Sequence, residues 1–177
     1  MPHLIVVYGP PLSGKSSLTR ELARTIGGKA AIVSTDALLH EAIVAHDRDA
    51  RAELEMVYTQ ARLLVANYLK NGYHTVLEGA FVNEHEGVLH LHEQEIDQTL
   101  GLMRNLARST LIVRLTAGAE TLRYRAEASS RDRNVEAALR IEAAYRPRYG
   151  SRSIVLSTDG RAVAELAEDV RNRIDFE

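Results

Sequence analysis

The first residues that indicate chemistry form the run Gly9-Pro10-Pro11-Leu12-Ser13-Gly14-Lys15-Ser16, which matches the pattern G-x-x-x-x-G-K-[ST] at every position. In such a loop, backbone N–H groups point at phosphate oxygens, and the helix that follows adds the positive end of its dipole. We expect Lys15 to reach the β- and γ-phosphates of ATP and the Ser16 hydroxyl to bind Mg²⁺. The pattern does not distinguish ATP from GTP. The predicted nucleotide-binding residues of the loop are Gly9, Pro10, Pro11, Leu12, Ser13, Gly14, Lys15, Ser16 and Ser17.

A first carboxylate, Asp36, follows the short apolar run at 30–33. Beside a phosphate loop, a carboxylate at the end of a strand suits a general base that removes a proton from an acceptor hydroxyl. The alternative is that Ser34, Thr35 or Asp36 caps the helix predicted over 37–45. Both roles can hold if a residue other than Asp36 is the cap.

A second carboxylate, Glu78, ends the apolar run at 74–77 and precedes Gly79. An acidic residue here can hold Mg²⁺ through water, as Asp36 can, or bind a substrate hydroxyl and assist catalysis. The glycine permits a tight turn or the close approach of a ligand. The alternative is a solvated glutamate at a strand end.

Arginine is concentrated in one part of a chain whose net charge is only -2. Residues 104–152 hold eleven arginines, no lysine and five acidic residues. We expect a lid at about 120–135 in which Arg125 and Arg131 are catalytic and Arg133 contacts the nucleotide, because guanidinium groups neutralise charge on a transferring phosphoryl group. The alternatives are a genomic preference for arginine codons and surface ion pairs, since Glu127 lies four residues from Arg131.

The seven histidines raise the question of a metal, above all His85, His90 and His92. His90 and His92 are two residues apart and share a face only on an extended segment. No H-E-x-x-H motif is present. We therefore favour a variable acceptor-binding loop over 81–93 rather than a transition-metal site.

The elements that must position these residues alternate along the chain. Apolar runs predict strands over 4–8, 30–33, 74–77, 111–115 and 154–156, and apolar spacings of three and four predict helices over 16–26, 37–45, 49–71, 95–108 and 163–174. Alternating strands and helices indicate an α/β fold, a five-stranded parallel sheet with helices on both faces. In such a sheet the ligand site lies at the carboxyl ends of the strands. The 177 residues suit a single domain.

Composition excludes several classes of protein. With 45% hydrophobic and 26% charged residues, the chain is neither disordered nor fibrous. The absence of cysteine excludes disulfides, a thiolate nucleophile and cysteine-ligated zinc. The apolar run at 4–8 is too short for a signal-peptide core or a membrane span. We expect a cytoplasmic protein with no membrane partner.

Taken together, Gly9–Ser16, Asp36, Glu78-Gly79 and the arginines at 123–133 resemble the small P-loop kinases of the adenylate-kinase-like group. The region around the loop, Asp36 and residues 43–49 is similar to polynucleotide kinases. The Glu78-Gly79 turn resembles zeta toxins, and the chain length and residues 33–38 resemble chloramphenicol phosphotransferase. The resemblance implies a P-loop NTPase fold, Asp36 as the base and Lys15 on the ATP phosphates.

These observations predict an ATP- and Mg²⁺-dependent kinase that phosphorylates a hydroxyl of a small molecule. One alternative is a 5′-hydroxyl polynucleotide or nucleoside kinase. Leu39 argues against a nucleic-acid acceptor, because polynucleotide kinases carry an arginine three residues after the aspartate. The other alternative is a P-loop NTPase that is not a kinase.

Overall fold

The computed structural model describes residues 1–43, 50–85, 87–129, 134–145 and 152–174. Its main sheet is parallel throughout and has five strands in the order β2-β3-β1-β6-β7. These are β1 (Leu4–Tyr8), β2 (Ala30–Ser34), β3 (His74–Gly79), β6 (Thr110–Thr116) and β7 (Ser153–Ser157). The predicted five-stranded parallel sheet is therefore confirmed.

Helices join the strands and cover both faces of the sheet. The described helices are α1 (Lys15–Thr25), α2 (Thr35–His40), α3 (Ala50–Lys70), α4 (Glu93–Met103), α5 (Ala119–Glu127), α6 (Val135–Ala144) and α7 (Val163–Arg171).

The central strand β1 shows why the sheet needs two covered faces. All five of its residues are buried, and alternate side chains enter different apolar clusters. Leu4, Val6 and Tyr8 pack with α3 and α4, whereas Ile5 and Val7 pack with α1 and α7. A continuous apolar run without polar alternation is what a strand buried on both faces requires.

Residues 81–93, the helix α6 and the bounds of α2 and α4 differ from the prediction. The helix α2 spans Thr35–His40 instead of 37–45, of which residues 44 and 45 lie outside the described ranges, and α4 spans Glu93–Met103 instead of 95–108. Residues 81–93 do not form a loop, since β4 (Val82–His85) and β5 (Val88–Leu91) pair as an antiparallel hairpin. Val82, Leu89 and Leu91 pack against the main apolar cluster, and this burial stabilises the hairpin. The helix α6 was not predicted, although its signals are in the sequence. Asn134 accepts a hydrogen bond from the Ala137 N–H as the helix cap, and apolar residues follow at helical spacing.

Candidate active site

The phosphate loop lies between β1 and α1 and has a backbone that its glycines permit. Gly14 caps α1 with φ of 94°, a left-handed conformation that favours glycine. A Cβ atom on Gly9 would collide with the carbonyl oxygen of Leu115 on the neighbouring strand β6. Leu12 also has a positive φ of 68° without being glycine. Such conformations are held in place by surrounding contacts and concentrate at functional sites.

Lys15 lies folded under this loop. It is only 7% exposed, and its Nζ donates hydrogen bonds to the carbonyl oxygens of Gly9 at 3.1 Å and Pro10 at 3.0 Å. The neighbouring Ser13 is fully buried, and no hydrogen-bond partner of its hydroxyl is found among the described residues. A buried ammonium and a buried hydroxyl in one loop provide polar groups for an anion.

Glu78 closes the site from the end of β3. Its carboxylate accepts a hydrogen bond from the Ser16 hydroxyl at 3.3 Å and one from the Thr19 hydroxyl at 3.1 Å. Its carbonyl oxygen accepts a third from Thr35 at 3.3 Å. The close approach of Thr35 leaves no room for a Cβ atom on Gly79. The pairing of a loop hydroxyl with a carboxylate fits a hard cation such as Mg²⁺, which prefers oxygen ligands.

Asp36 lies in the first turn of α2 and its side chain is exposed. The helix cap is Ser34, whose hydroxyl accepts a hydrogen bond from the Ala37 N–H at 3.2 Å. The Asp36 carboxylate is therefore not needed to cap α2. The general-base role of Asp36 stays a prediction.

Of the three arginines that were given a role in the predicted lid, Arg125 alone lies in the described residues. Its guanidinium donates to the carbonyl oxygen of Leu12 at 2.9 Å and to the hydroxyl and carbonyl oxygens of Thr158 at 3.0 and 3.2 Å. Arg125 thus joins α5 to the phosphate loop and to the segment after β7. Arg131 and Arg133 lie outside the described residues, and their predicted roles are untested.

A cavity of about 1180 Å³ connects these residues. One part, which we call the phosphate end, is formed by residues 11–17 with Arg125, Thr158 and Arg161. Another part, which we call the apolar end, is lined by Leu39, Leu54, Val57, Tyr58, Phe81, Val82 and Ile141. Asp36 and Glu78 also line the cavity. One cavity therefore brings the phosphate loop together with both predicted carboxylates.

Aromatic rings support the apolar end. Phe81 stacks on Tyr58 with ring centroids 5.7 Å apart, and the His92 ring lies 5.7 Å from Tyr58. Phe81 has a positive φ of 51°, unusual for a bulky side chain and typical of a functional site. Burial raises the pKa of Tyr58, and the charges of Glu95 and Asp36 raise it further. Asp36 and Tyr58 both line the cavity.

Tyr145 connects the end of α6 to the same region. Its hydroxyl donates to the carbonyl oxygen of Ala80, and its ring meets Tyr8 edge to face at 5.3 Å. Burial raises the pKa of the Tyr145 hydroxyl, with smaller effects from nearby groups that include Asp36. The buried Arg114 lies 5.5 Å from the Tyr145 ring and pairs with Glu142 at 2.9 Å. These contacts fix α6 over the sheet and so position Ile141.

Of the histidines in residues 81–93, His92 makes a structural contact and His90 is exposed. His92 pairs with the side-chain oxygen of Asn83 at 2.7 Å, across the base of the hairpin. Within the described ranges, no group of three or more His, Asp or Glu side chains is placed to hold a metal ion. The same ranges contain no helix with the length and apolarity needed to cross a membrane.

Several residues of the site were missed by sequence reasoning. Thr19, Thr158, Tyr58 and Phe81 contact predicted site residues or line the cavity, but none belongs to a motif. Thr158 follows a predicted strand, so its position at a carboxyl end was a usable signal. Tyr58 lies within a long helix, where an aromatic residue usually indicates core packing.

Comparison with known proteins assigns the chain to a family. The model of the AAA domain family matches residues 4–147, most of the sequence. The chain belongs to the AAA domain family. This AAA domain has the P-loop NTPase fold that the sequence predicted. No curated protein is significantly similar to it in sequence.

Solved structures of kinases share the fold of this AAA domain. A sugar kinase from Janibacter has a TM-score of 0.64 at 16% identity, covering 99% of this chain and 95% of that one. The APS kinase of Mycobacterium tuberculosis, in complex with AMPPNP and APS, has a TM-score of 0.67 at 14% identity, covering 97% and 96%. A gluconokinase from Sinorhizobium meliloti has a TM-score of 0.62 at 17% identity, covering 97% and 91%. The narrower resemblance to polynucleotide kinases, zeta toxins and chloramphenicol phosphotransferase stays a prediction.

Proposed function

We propose that this AAA domain is an ATP- and Mg²⁺-dependent kinase that transfers the γ-phosphoryl group to a hydroxyl of a small molecule. The observation that carries the proposal is a single cavity lined by the phosphate loop, Asp36 and Glu78. The kinase folds of its structural neighbours support the same activity.

The phosphate loop binds and orients the nucleotide. Loop N–H groups and the start of α1 attract the phosphate oxygens. Lys15 exchanges its bonds to the Gly9 and Pro10 carbonyl oxygens for bonds to phosphate, since both acceptors belong to the loop that surrounds the anion. The lysine thus neutralises charge where it develops during transfer.

Asp36 acts as the general base that accepts the proton of the acceptor hydroxyl. The acceptor oxygen forms a bond to the γ-phosphorus while the bond between that phosphorus and the ADP oxygen breaks, and the hydroxyl proton passes to the Asp36 carboxylate. An exposed carboxylate beside the cavity, free of capping duty, is suited to this role. Because Asp36 takes up the proton as the new bond forms, no positive charge builds up on the attacking oxygen of the acceptor.

Ser16 and Glu78 are the residues that would hold the metal ion. The Ser16 hydroxyl would ligate Mg²⁺, and the Glu78 carboxylate, which accepts a hydrogen bond from Ser16, would hold it through water. When bound, Mg²⁺ neutralises charge on the phosphoryl oxygens. Thr19 keeps the Glu78 carboxylate oriented in the absence of other ligands.

The arginines hold the loop and the transferring group. Arg125 fixes the backbone at Leu12 through its hydrogen bond to the carbonyl oxygen. We assign Arg125 and Arg131 to stabilisation of the transferring phosphoryl group and Arg133 to nucleotide contact, as the arginine-rich segment predicts.

Exchange of Asp36→Asn tests the base. We expect the variant to bind ATP like the wild type and to lose phosphoryl transfer by a factor of about 10² or more. The measurements are a binding titration with ATP and the formation of phosphorylated product from a metabolite pool. Asp97→Asn is the control, because Asp97 is exposed on α4 and does not line the cavity.

Three results would contradict this function. Transfer by Asp36→Asn at the wild-type rate would mean that Asp36 is not the base. Release of only ADP and phosphate with every acceptor pool would identify an NTPase, and transfer to a 5′-hydroxyl oligonucleotide alone would identify a polynucleotide kinase.

A further inference from the structure

The residues of the apolar end, apart from Val57, pack in or against the main apolar cluster, yet they line the same cavity as Asp36. Leu39 and Val82 are only half-buried, and both line the cavity. The apolar side chains there come from α2, α3, the segment after β3 and α6, and all but Val57 belong to or pack against one cluster: Leu39, Leu54, Val57, Phe81, Val82 and Ile141.

Charge is distributed unevenly along the cavity. The arginines and lysine among its described lining residues are Lys15, Arg20, Arg125 and Arg161, and they come from the loop, from α1, from α5 and from the segment after β7. The charged or titratable residues contributed by α2 and its C-cap are Asp36, His40 and Glu41. Carboxylates beside an apolar surface disfavour an anionic ligand and leave an uncharged one unaffected.

We propose that the acceptor is an uncharged alcohol with an apolar body, which places its hydroxyl beside Asp36 and its body against the apolar end. The proposal rests on the function proposed above, since that function places the hydroxyl at Asp36. The apolar surface supplies affinity without a specific polar contact, because each methylene removed from water adds a nearly constant increment.

Binding of a homologous series tests the proposal without requiring transfer. The full chain, with Mg²⁺ and a non-hydrolysable ATP analogue, is titrated by NMR with propane-, butane-, pentane- and hexane-1,2-diol. We expect the dissociation constant to fall about fourfold per methylene. We expect 5,6-dihydroxyhexanoate, which replaces the terminal methyl group of hexane-1,2-diol by a carboxylate, to bind at least about tenfold more weakly than that diol. The proposal would be overturned if the dissociation constant did not change along the series or if hexane-1,2-diol did not bind saturably. It would also be overturned if 5,6-dihydroxyhexanoate bound as tightly as hexane-1,2-diol.

Variants locate the apolar body in the cavity. Leu39→Asn adds a polar group to α2, and Val82→Thr is a milder exchange at a half-buried position if the first variant folds poorly. In both we expect the gain per methylene to shrink. Leu63→Asn is the control, because Leu63 is 67% exposed on α3 and does not line the cavity. If the folded Leu39 and Val82 variants gain as much affinity per methylene as the wild type, the apolar part of the alcohol binds elsewhere.

The Asp36→Asn variant separates this inference from the proposed function. This variant should keep the wild-type gain in affinity per methylene while it loses phosphoryl transfer. If the dissociation constant falls along the diol series but no acceptor is phosphorylated, the proposed kinase function is wrong. The preference of the cavity for uncharged apolar alcohols would still be supported. If transfer depends on Asp36 but the series is flat, only the inference about the acceptor is wrong.

Discussion

The phosphate end of the cavity takes most of its lining from one continuous run of chain, residues 11–17, which Arg125, Thr158 and Arg161 complete, whereas the apolar end takes side chains from α2, α3, α6, β4 and the segment between β3 and β4. In the first, backbone groups and short-range contacts determine the shape, as in the bonds from Lys15 to Gly9 and Pro10. In the second, rings and aliphatic groups meet across distant parts of the sequence, as in the stacking of Tyr58 on Phe81.

This difference has a functional consequence. A phosphate group is the same in every nucleotide, so a loop defined by its own backbone suits it. An acceptor varies between enzymes, and an end assembled from several elements can change one side chain without disturbing the loop. Substitutions at the phosphate end should therefore affect transfer to every acceptor, and substitutions at the apolar end should affect selectivity.

The largest effect should come from Lys15→Ala at the phosphate end. Removal of the ammonium takes away the charge that stabilises the transferring phosphates, and we expect kcat/KM for ATP to fall about 10³-fold. ADP formation with each acceptor measures it. Lys70→Ala, on the exposed end of α3, is the matched control. Activity within tenfold of the wild type would place phosphate binding outside this loop.

A smaller effect is expected from Glu78→Gln, between the two ends. The amide still accepts a hydrogen bond from Thr19 but has no charge, so the Mg²⁺ concentration for half-maximal activity should rise about 10- to 100-fold. A Mg²⁺ titration of ADP formation measures the shift. Glu55→Gln on the exposed face of α3 should leave it unchanged. An unchanged requirement in the Glu78 variant would remove this carboxylate from the metal site.

The smallest effect concerns pH at the apolar end. Burial lowers the pKa of His92, His90 lowers it further, and Glu95 opposes the change. Because the folded-state pKa lies below the unfolded value of 6.5, the neutral ring contributes stability above that pH and the contribution is lost as pH falls through the folded-state pKa. We expect the free energy of unfolding to fall between pH 7.5 and 5, and to fall less steeply in His92→Gln.

Urea denaturation at a series of pH values measures this slope. His40→Gln makes the same exchange at an exposed position and is the control for the exchange itself. His74 also has a pKa lowered by burial, so part of the slope should persist in the His92 variant. Identical slopes in the wild type and His92→Gln would show that His92 does not titrate with folding.

The two ends also differ in how far the sequence could predict them. Gly14 and Lys15 take their conformation and hydrogen bonds from within the loop, so the motif could predict a loop that leads into α1. The contacts of Gly9 with Leu115 and of Ser16 with Glu78 come from other strands and could not be predicted from the spacing. The five strands were predictable because each is a short apolar run. Tyr58 and Phe81 could not be paired in advance, since their contact depends on how α3 docks beside β3. Residues 81–93 were wrongly predicted to be a loop because their short strands become stable only on burial against that core.

The pairing of β1 with β6 determines when the nucleotide site can form during synthesis on the ribosome. β6 follows β1 by about 100 residues, and Leu115 on β6 supplies the carbonyl oxygen that lies against Gly9. At roughly 5–20 residues per second, β1 must wait about 5–20 s for this partner to be made. We expect the nascent chain to acquire nucleotide affinity only after β6 has emerged, so the most recognisable motif of the sequence, near its N-terminus, should be among the last parts of the protein to become functional.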